Sequence, residues 1–282
     1  MTKEMFRALG TIILDGATGS NLMKAGMPRG VCAERWILEN PNAILDLQKR
    51  YAESGSQIVY APTFTASEPY LAQHGLADQL ERMNCELVSL TRQAVGSDVF
   101  VAGDMTTVGK PDLSYEYLLE VYTRQAKALK EAGVDLYVIE TMMGLEETMA
   151  ALEACNMVSE LPVMCSFSVT SDGMLYFGGS IYDAAPQLEG FGADAVGINC
   201  SCGPDQMEAV VRALAQSLDI PVIAKPNAGM PTIDDMGNAI YSMAPVEFAA
   251  GMLELKRAGA SVLGGCCGTD PSYIKALKEA IG

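Results

Sequence analysis

The chain has 282 residues, 49% of them hydrophobic and 19% charged, enough to bury one large core. A formal net charge of −16 argues against duplex DNA, RNA and anionic membranes as partners, because binding there rests on counterion release by clustered Lys and Arg; a small molecule is the default substrate. The single histidine, His74, removes Ser-His-Asp triads and multi-histidine metal sites, so any metal must be held by sulfur or carboxylate.

Taken in chain order, short β-rich runs alternate with longer helical stretches. The runs are "TIILDGA" from 11, "QIVYAPTF" from 57, "VFVAGDM" from 99, "DLYVIETM" from 135, "PVMCSFSV" from 162, "ADAVGINC" from 193, "PVIAKPN" from 221 and "SVLGGCCG" from 261. Intervening stretches such as "SYEYLLEVYTRQAKALKEAG" and "APVEFAAGMLELKRAG" are amphipathic and end in glycine, as helix C-caps do. In "YLAQHGLADQ", His74 sits at a helix end that turns at Gly75 and reads as a surface or capping residue. Eight such units predict an α/β protein, a single (β/α)8 TIM barrel over 1–282, with its chemistry at the C-terminal ends of the strands. Asp15, Thr63, Asp104, Glu140, Ser168, Asn199 with Cys200, Asn227, and Cys266 with Cys267 fall at those ends. A doubly wound sheet alternates in the same way, but its phosphate-binding glycine fingerprint is missing. The N-terminus "MTKEMFRALG" lacks the apolar core of a signal peptide and no apolar run reaches the ~18 residues of a span, which predicts a cytoplasmic protein.

Eight cysteines in that setting predict reduced thiols. Cys266 and Cys267 are adjacent between glycines, and neighbouring side chains on an extended segment point apart. They converge only if the backbone bends, which glycine permits. A strained vicinal disulfide, two inert core thiols and a soft-metal site compete for the pair, and two sulfurs are too few to hold zinc. A barrel brings the end of "GINCSCGP" beside "GGCCG", so Cys200 becomes the third sulfur. Three thiolates with one open position describe a catalytic rather than a structural zinc site, suited to holding another thiol as a nucleophilic thiolate. Cys202 is the alternative fourth ligand that would close the site. Cys32, Cys85, Cys155 and Cys165 read as inert, and the methionines as core filler.

The motifs "LDGATGSNL", "IET", "GINCS", "PNAG" and "GGCCGT", in this order over nearly the full chain, resemble the homocysteine S-methyltransferase family, and most of all the homocysteine-binding barrel of cobalamin-dependent methionine synthase. The resemblance implies a zinc enzyme with Cys200, Cys266 and Cys267 as ligands. It implies a homocysteine pocket near Asp15 and Glu140, with Asn227 near the metal; the backbone N–H groups of the turn opening at Gly16 are placed to cradle the substrate carboxylate. Two turns depart from the family pattern. Pro62 in "APTF" stands where an asparagine is usual, and "GDMTTVGKP", with Thr106 and Thr107, replaces a Gly-Pro-rich turn, so the acceptor and the donor's approach are open at this point.

The expected reaction is methyl transfer to homocysteine, giving methionine. Methylcobalamin on a separate corrinoid protein is the first donor expected, since no corrinoid-binding histidine motif occurs in this chain; S-methylmethionine or S-adenosylmethionine is the second, and a betaine the third. A non-catalytic zinc- or thiol-binding subunit of a methyltransferase complex is the reading from a different class.

Overall fold

The computed structural model describes residues 1–234 and 239–282. Eight parallel strands form one sheet: β1 (Ile12–Ile13), β2 (Ile58–Tyr60), β3 (Phe100–Thr106), β4 (Leu136–Met142), β5 (Val163–Phe167), β6 (Ala195–Asn199), β7 (Val222–Lys225) and β10 (Ala260–Leu263). Its order runs β1-β10-β7-β6-β5-β4-β3-β2. The two ends meet at a seam where the ladder is replaced by a side chain: the Ile13 N–H donates to Gln57 Oε1 at 2.9 Å, and the Gln57 N–H to the Ile13 carbonyl at 2.7 Å. Strands alternate with helices outside them, so the barrel expected from the sequence is what forms.

Alternation along each strand sorts the side chains into two cores. Ile12, Leu14, Ile58, Tyr60, Ala102, Leu136, Val138, Met164, Ala195, Ile223 and Val262 point into the barrel. Phe6, from the helix Lys3–Ala8, joins this cluster. The alternate residues, such as Val101, Tyr137, Ile139, Val196 and Ala224, pack outward on the helices. Carried two or four residues further along, the inward set becomes polar: Asp104 and Thr106 on β3, Glu140 on β4, Ser166 on β5, Asn199 on β6 and Lys225 on β7, all buried. The register pairs Thr106 with Glu140 and Asn199 with Lys225, which gathers these residues at the C-terminal end of the barrel.

The helix Tyr115–Glu131 starts at Ser114, whose side chain accepts from the Tyr117 N–H, and Pro245–Ala258 ends on Gly259 at φ +117°. Both lie where the amphipathic stretches placed them. Most of the paired strands are shorter than the β-rich runs, because the chain turns over the rim; Pro62, which has no N–H to donate, follows shortly after β2. Two short strands, β8 (Thr232–Ile233) and β9 (Ala239–Ile240), pair antiparallel and had no sequence signal. Among the described residues, no helix is long and apolar enough to cross a membrane.

Candidate active site

A tight turn brings the adjacent cysteines together. The Thr269 N–H donates to the Cys266 carbonyl at 3.1 Å, closing a four-residue turn with Gly268 third, at φ +85°. Positive φ at that place is what a type II turn demands and glycine supplies. The Cys266 N–H donates to the Pro226 carbonyl at 2.7 Å, and the Cys267 carbonyl accepts from the Ala228 N–H at 2.9 Å. Both cysteines are thus anchored to the loop after β7. Cys200 leaves β6 at φ +52°, one of two non-glycine residues at positive φ among those described, and its N–H donates to the Lys225 carbonyl at 3.2 Å. Cys200 Sγ lies 3.4 Å from Cys267 Sγ, and the three Sγ atoms of Cys200, Cys266 and Cys267 lie within 4.8 Å of one another.

Hydrogen bonds from Cys200 and Cys266 hold the Cys267 thiol far below the ordinary thiol range, while Cys200 and Cys267 push Cys266 above it. Among the described residues this is the one group of three or more Cys, His, Asp or Glu placed to hold a metal ion. Cys202 is outside it, and burial pushes its thiol up to about 11.

Beside the sulfurs lies a buried charge cluster. Lys225 Nζ is 3.4 Å from Asp15 Oδ1, 3.5 Å from Glu140 Oε2, and 4.1 Å above the Tyr60 ring. Burial pulls the lysine's pKa down, but the carboxylates of Glu140 and Asp15 outweigh it and hold the group well above the ordinary lysine range. Asp15 is pushed up to about 6 by burial, against the pull of Lys225 and of the Tyr60 N–H, which donates to its Oδ2 at 2.8 Å. Asp104 is pushed well above the carboxylate range, first by burial and then by Glu140.

Asn199 ties this cluster to the cysteines. Its Oδ1 accepts from the Thr141 N–H at 2.9 Å and from Ser166 Oγ at 2.9 Å, and its Nδ2 donates to Thr141 Oγ1 at 2.7 Å. Those bonds hold Thr141 at φ +59°, an uncommon conformation for a β-branched residue and of the kind that clusters at functional sites. Asn199 Nδ2 also donates to Glu140 Oε2 at 3.5 Å, so the residue that precedes Cys200 in the chain is tied directly to Glu140. On the opposite wall, Thr269 Oγ1 donates to the Cys266 carbonyl at 2.7 Å and accepts from the Ala17 N–H at 3.1 Å. A Cβ on Gly16 would lie 2.6 Å from the Tyr51 hydroxyl and 2.8 Å from Thr269 Oγ1, so this turn packs only with glycine there.

These groups surround a cavity of about 350 Å³. Gly16, Glu140, Cys200, Cys266 and Cys267 lie on its wall, as the sequence placed them. Asp15 and Asn227 do not; Asp15 stands behind the wall against Lys225, and the Asn227 N–H donates to the Cys202 carbonyl at 2.9 Å. Pro62 is on the wall, so the altered turn after β2 does face the cavity. The other altered turn is braced from behind, with Thr107 Oγ1 donating to Glu147 at 2.6 Å and Thr106 Oγ1 to the Glu140 carbonyl at 2.9 Å. Motif reasoning missed Lys225. Its signal was a lone charge in the apolar run "PVIAKPN", on the inward parity.

Residues 12–281 match the family model for homocysteine S-methyltransferase. The chain belongs to that family. Its members are methyltransferases, and the resemblance carried by the sequence motifs is borne out. The chain is 28% identical over 291 aligned positions to the methionine synthases of Mycobacterium leprae (strain TN) and Mycobacterium tuberculosis (strain ATCC 25618 / H37Rv), the match covering 95% of this chain and 24% of each relative. It thus spans about a quarter of the length of those relatives. Among solved structures, the homocysteine methyltransferase MmuM from Escherichia coli, in a metallated form, superposes with a TM-score of 0.82 at 25% identity, covering 97% of this chain and 99% of that one. A type I 3-dehydroquinate dehydratase from Clostridium difficile, at a TM-score of 0.56 and 16% identity, shares the fold alone.

Proposed function

We propose that this chain transfers a methyl group to the thiol of homocysteine, giving methionine, with a zinc ion held by Cys200, Cys266 and Cys267. The observation that carries the reading is the convergence of three thiols on the wall of a cavity that also presents a carboxylate, Glu140. Three sulfurs at about 2.3 Å from one tetrahedral zinc stand about 3.8 Å apart, and the separations here, 3.4 Å for one pair and within 4.8 Å for all, bracket that value. The metallated form of MmuM adds support from a relative matched over almost its whole length. Zinc in such a site supplies a fourth position at which an incoming thiol is kept as thiolate near neutral pH.

The chain's own residues do the rest. Glu140 faces the acceptor's ammonium, and Lys225, pinned between Asp15 and Glu140, fixes that carboxylate from behind. Asp15 acts through Lys225, and Asn227 supports the loop to which both adjacent cysteines are tied. Backbone N–H groups of the turn from Gly16 take the acceptor's carboxylate. Buried walls exclude water from the thiolate's line of attack.

Methylcobalamin on a separate corrinoid protein is the donor we favour, because the relatives matched over 95% of this chain are methionine synthases. A donor used without such a partner, such as S-methylmethionine, is the second reading; the near-complete mutual coverage with MmuM favours it. The deciding experiment incubates zinc-loaded protein and L-homocysteine with each donor and measures methionine. Methionine from none of the donors, S-adenosylmethionine and a betaine included, would remove homocysteine methylation as the function.

A further inference from the structure

Of the three sulfurs, Cys267 alone lies on the wall of two cavities. It shares the cavity described above with Cys200 and Cys266, and it also borders a second one of about 840 Å³, walled by Met23, Met27, Tyr241 and Tyr273. A thiolate reached from both sides is exposed to the electrophile that the site exists to use. Tyr241, the residue after β9, is set over that sulfur. Its ring covers the cysteine turn so closely that a Cβ on Gly268 would lie 2.3 Å from the Tyr241 Cγ. Its hydroxyl is in hydrogen-bond contact with the Cys267 thiol. The other hydroxyls at this turn, those of Thr269 and Ser20, bond backbone groups. The segment carrying Tyr241 is pinned from the next residues on: Tyr273 Oη donates to the Met243 carbonyl at 2.6 Å, and the Tyr273 ring meets Phe248 edge-on at 5.5 Å.

We propose that Tyr241 is a positioning residue, whose hydroxyl donates to the Cys267 thiolate and makes that sulfur a poorer nucleophile than the acceptor's. The inference rests on the reading of methyl transfer at a three-sulfur zinc centre and adds what keeps the methyl group off the centre itself. The reaction held back is attack of the Cys267 sulfur on the donor's methyl carbon. A sulfur–carbon bond forms, and the bond from the methyl group to its carrier breaks with the electron pair going to the carrier. The sulfur is left as a neutral thioether, and the site has lost a thiolate ligand. A hydrogen bond to a thiolate lowers its basicity, and intrinsic nucleophilicity falls with basicity. A sulfur that only holds the metal can bear that loss; the acceptor's sulfur, which must attack, cannot.

The test treats zinc-loaded protein, without homocysteine, with methyl iodide, a donor small enough to enter either cavity, and reads methylation at each cysteine by peptide mass spectrometry. Exposed Cys85, on the helix Leu80–Val95, is the internal reference. In the wild-type protein Cys267 is methylated no faster than Cys200 or Cys266, although two cavities reach it. In Tyr241→Phe, which keeps the ring over Gly268, its rate relative to Cys85 rises about three- to tenfold. Losing one hydrogen bond raises thiolate basicity by about one to two powers of ten, and nucleophilicity follows with about half that exponent. A spectroscopic signature separates this from a loosened turn: with cobalt(II) in place of zinc, Tyr241→Phe moves the sulfur-to-metal charge-transfer band to longer wavelength, as a more basic thiolate requires. Cys267 methylated fastest of the three in the wild-type protein would overturn the proposal without any variant having to fold. So would an unchanged rate or an unmoved band in Tyr241→Phe. If the wild-type protein retains no zinc, the three-sulfur reading falls first and takes the Tyr241 assignment with it; if zinc is retained and homocysteine is methylated while Cys267 is the fastest of the three, only the Tyr241 assignment falls.

Discussion

Cys200 and Cys267 stand 67 residues apart in the chain and 3.4 Å apart at their Sγ atoms, because β6 and β10 both flank β7 and turn over the same rim. That relationship makes the first prediction. Replacing Cys200, Cys266 or Cys267 by Ala abolishes zinc retention and methyl transfer while the far-ultraviolet circular dichroism stays that of the wild-type barrel, since none of the three belongs to the buried strand cores. Metal content after dialysis is the check. A Cys266→Ala protein that kept full zinc would break the three-sulfur account.

Lys225 is the single cation on the cavity wall, and its partners have no substitute. Lys225→Met leaves the carboxylates of Asp15 and Glu140 buried without a counter-charge, which costs roughly 3–5 kcal/mol of stability. Urea unfolding of the two proteins measures this. A loss below about 1 kcal/mol would mean that the long contacts at 3.4 and 3.5 Å carry no energy.

Asp15 gives a pH signature. Its folded-state pKa, about 6, lies above the value near 4 of an unfolded carboxylate. The native state therefore holds that proton more tightly, and the stability this contributes is full below about pH 4 and lost as the pH rises through about 6. The stability difference between wild type and Asp15→Asn should accordingly shift against the wild type across that window. A difference that is flat with pH, measured by chemical unfolding, would mean that Asp15 keeps an ordinary affinity for its proton.

Thr269 links the turn after β1 to the cysteine turn through one hydroxyl. Thr269→Val keeps the shape and leaves the Ala17 N–H without its acceptor, a loss of about 1–3 kcal/mol. It also takes one of two donors from the Cys266 carbonyl, which keeps the backbone N–H of residue 269, and groups that orient metal ligands are worth about tenfold to a hundredfold in affinity. Competition with a chelator reads the second effect. Unchanged zinc affinity would make Thr269 a folding residue only.

How much of this was legible in the sequence depends on the residue. The eight runs and the glycine-ended helices disclosed the barrel, because period and capping are local properties. Cys200, Cys266 and Cys267 were legible because sulfur at two strand ends is chemically unusual, and Glu140 because it closes an apolar run. Lys225 and the orphaned oxygen of Asp104, buried without a hydrogen-bond partner, were not. Parity put both inside, but whether an inward charge meets a partner depends on register across strands remote in sequence, and that pairing is not written in either strand. Asp15 shows the converse: its place at a strand end was plain, yet the turn at Gly16 sets it behind the wall.

The central claim is that three sulfurs of this chain leave room for a fourth from the substrate. X-ray absorption at the zinc edge of the zinc-loaded protein, with and without L-homocysteine, tests it directly. The account predicts three sulfurs and one lighter atom before addition and four sulfurs after it. Four sulfurs in both states would mean that Cys202 or another thiol closes the site, and would contradict a thiol-accepting centre.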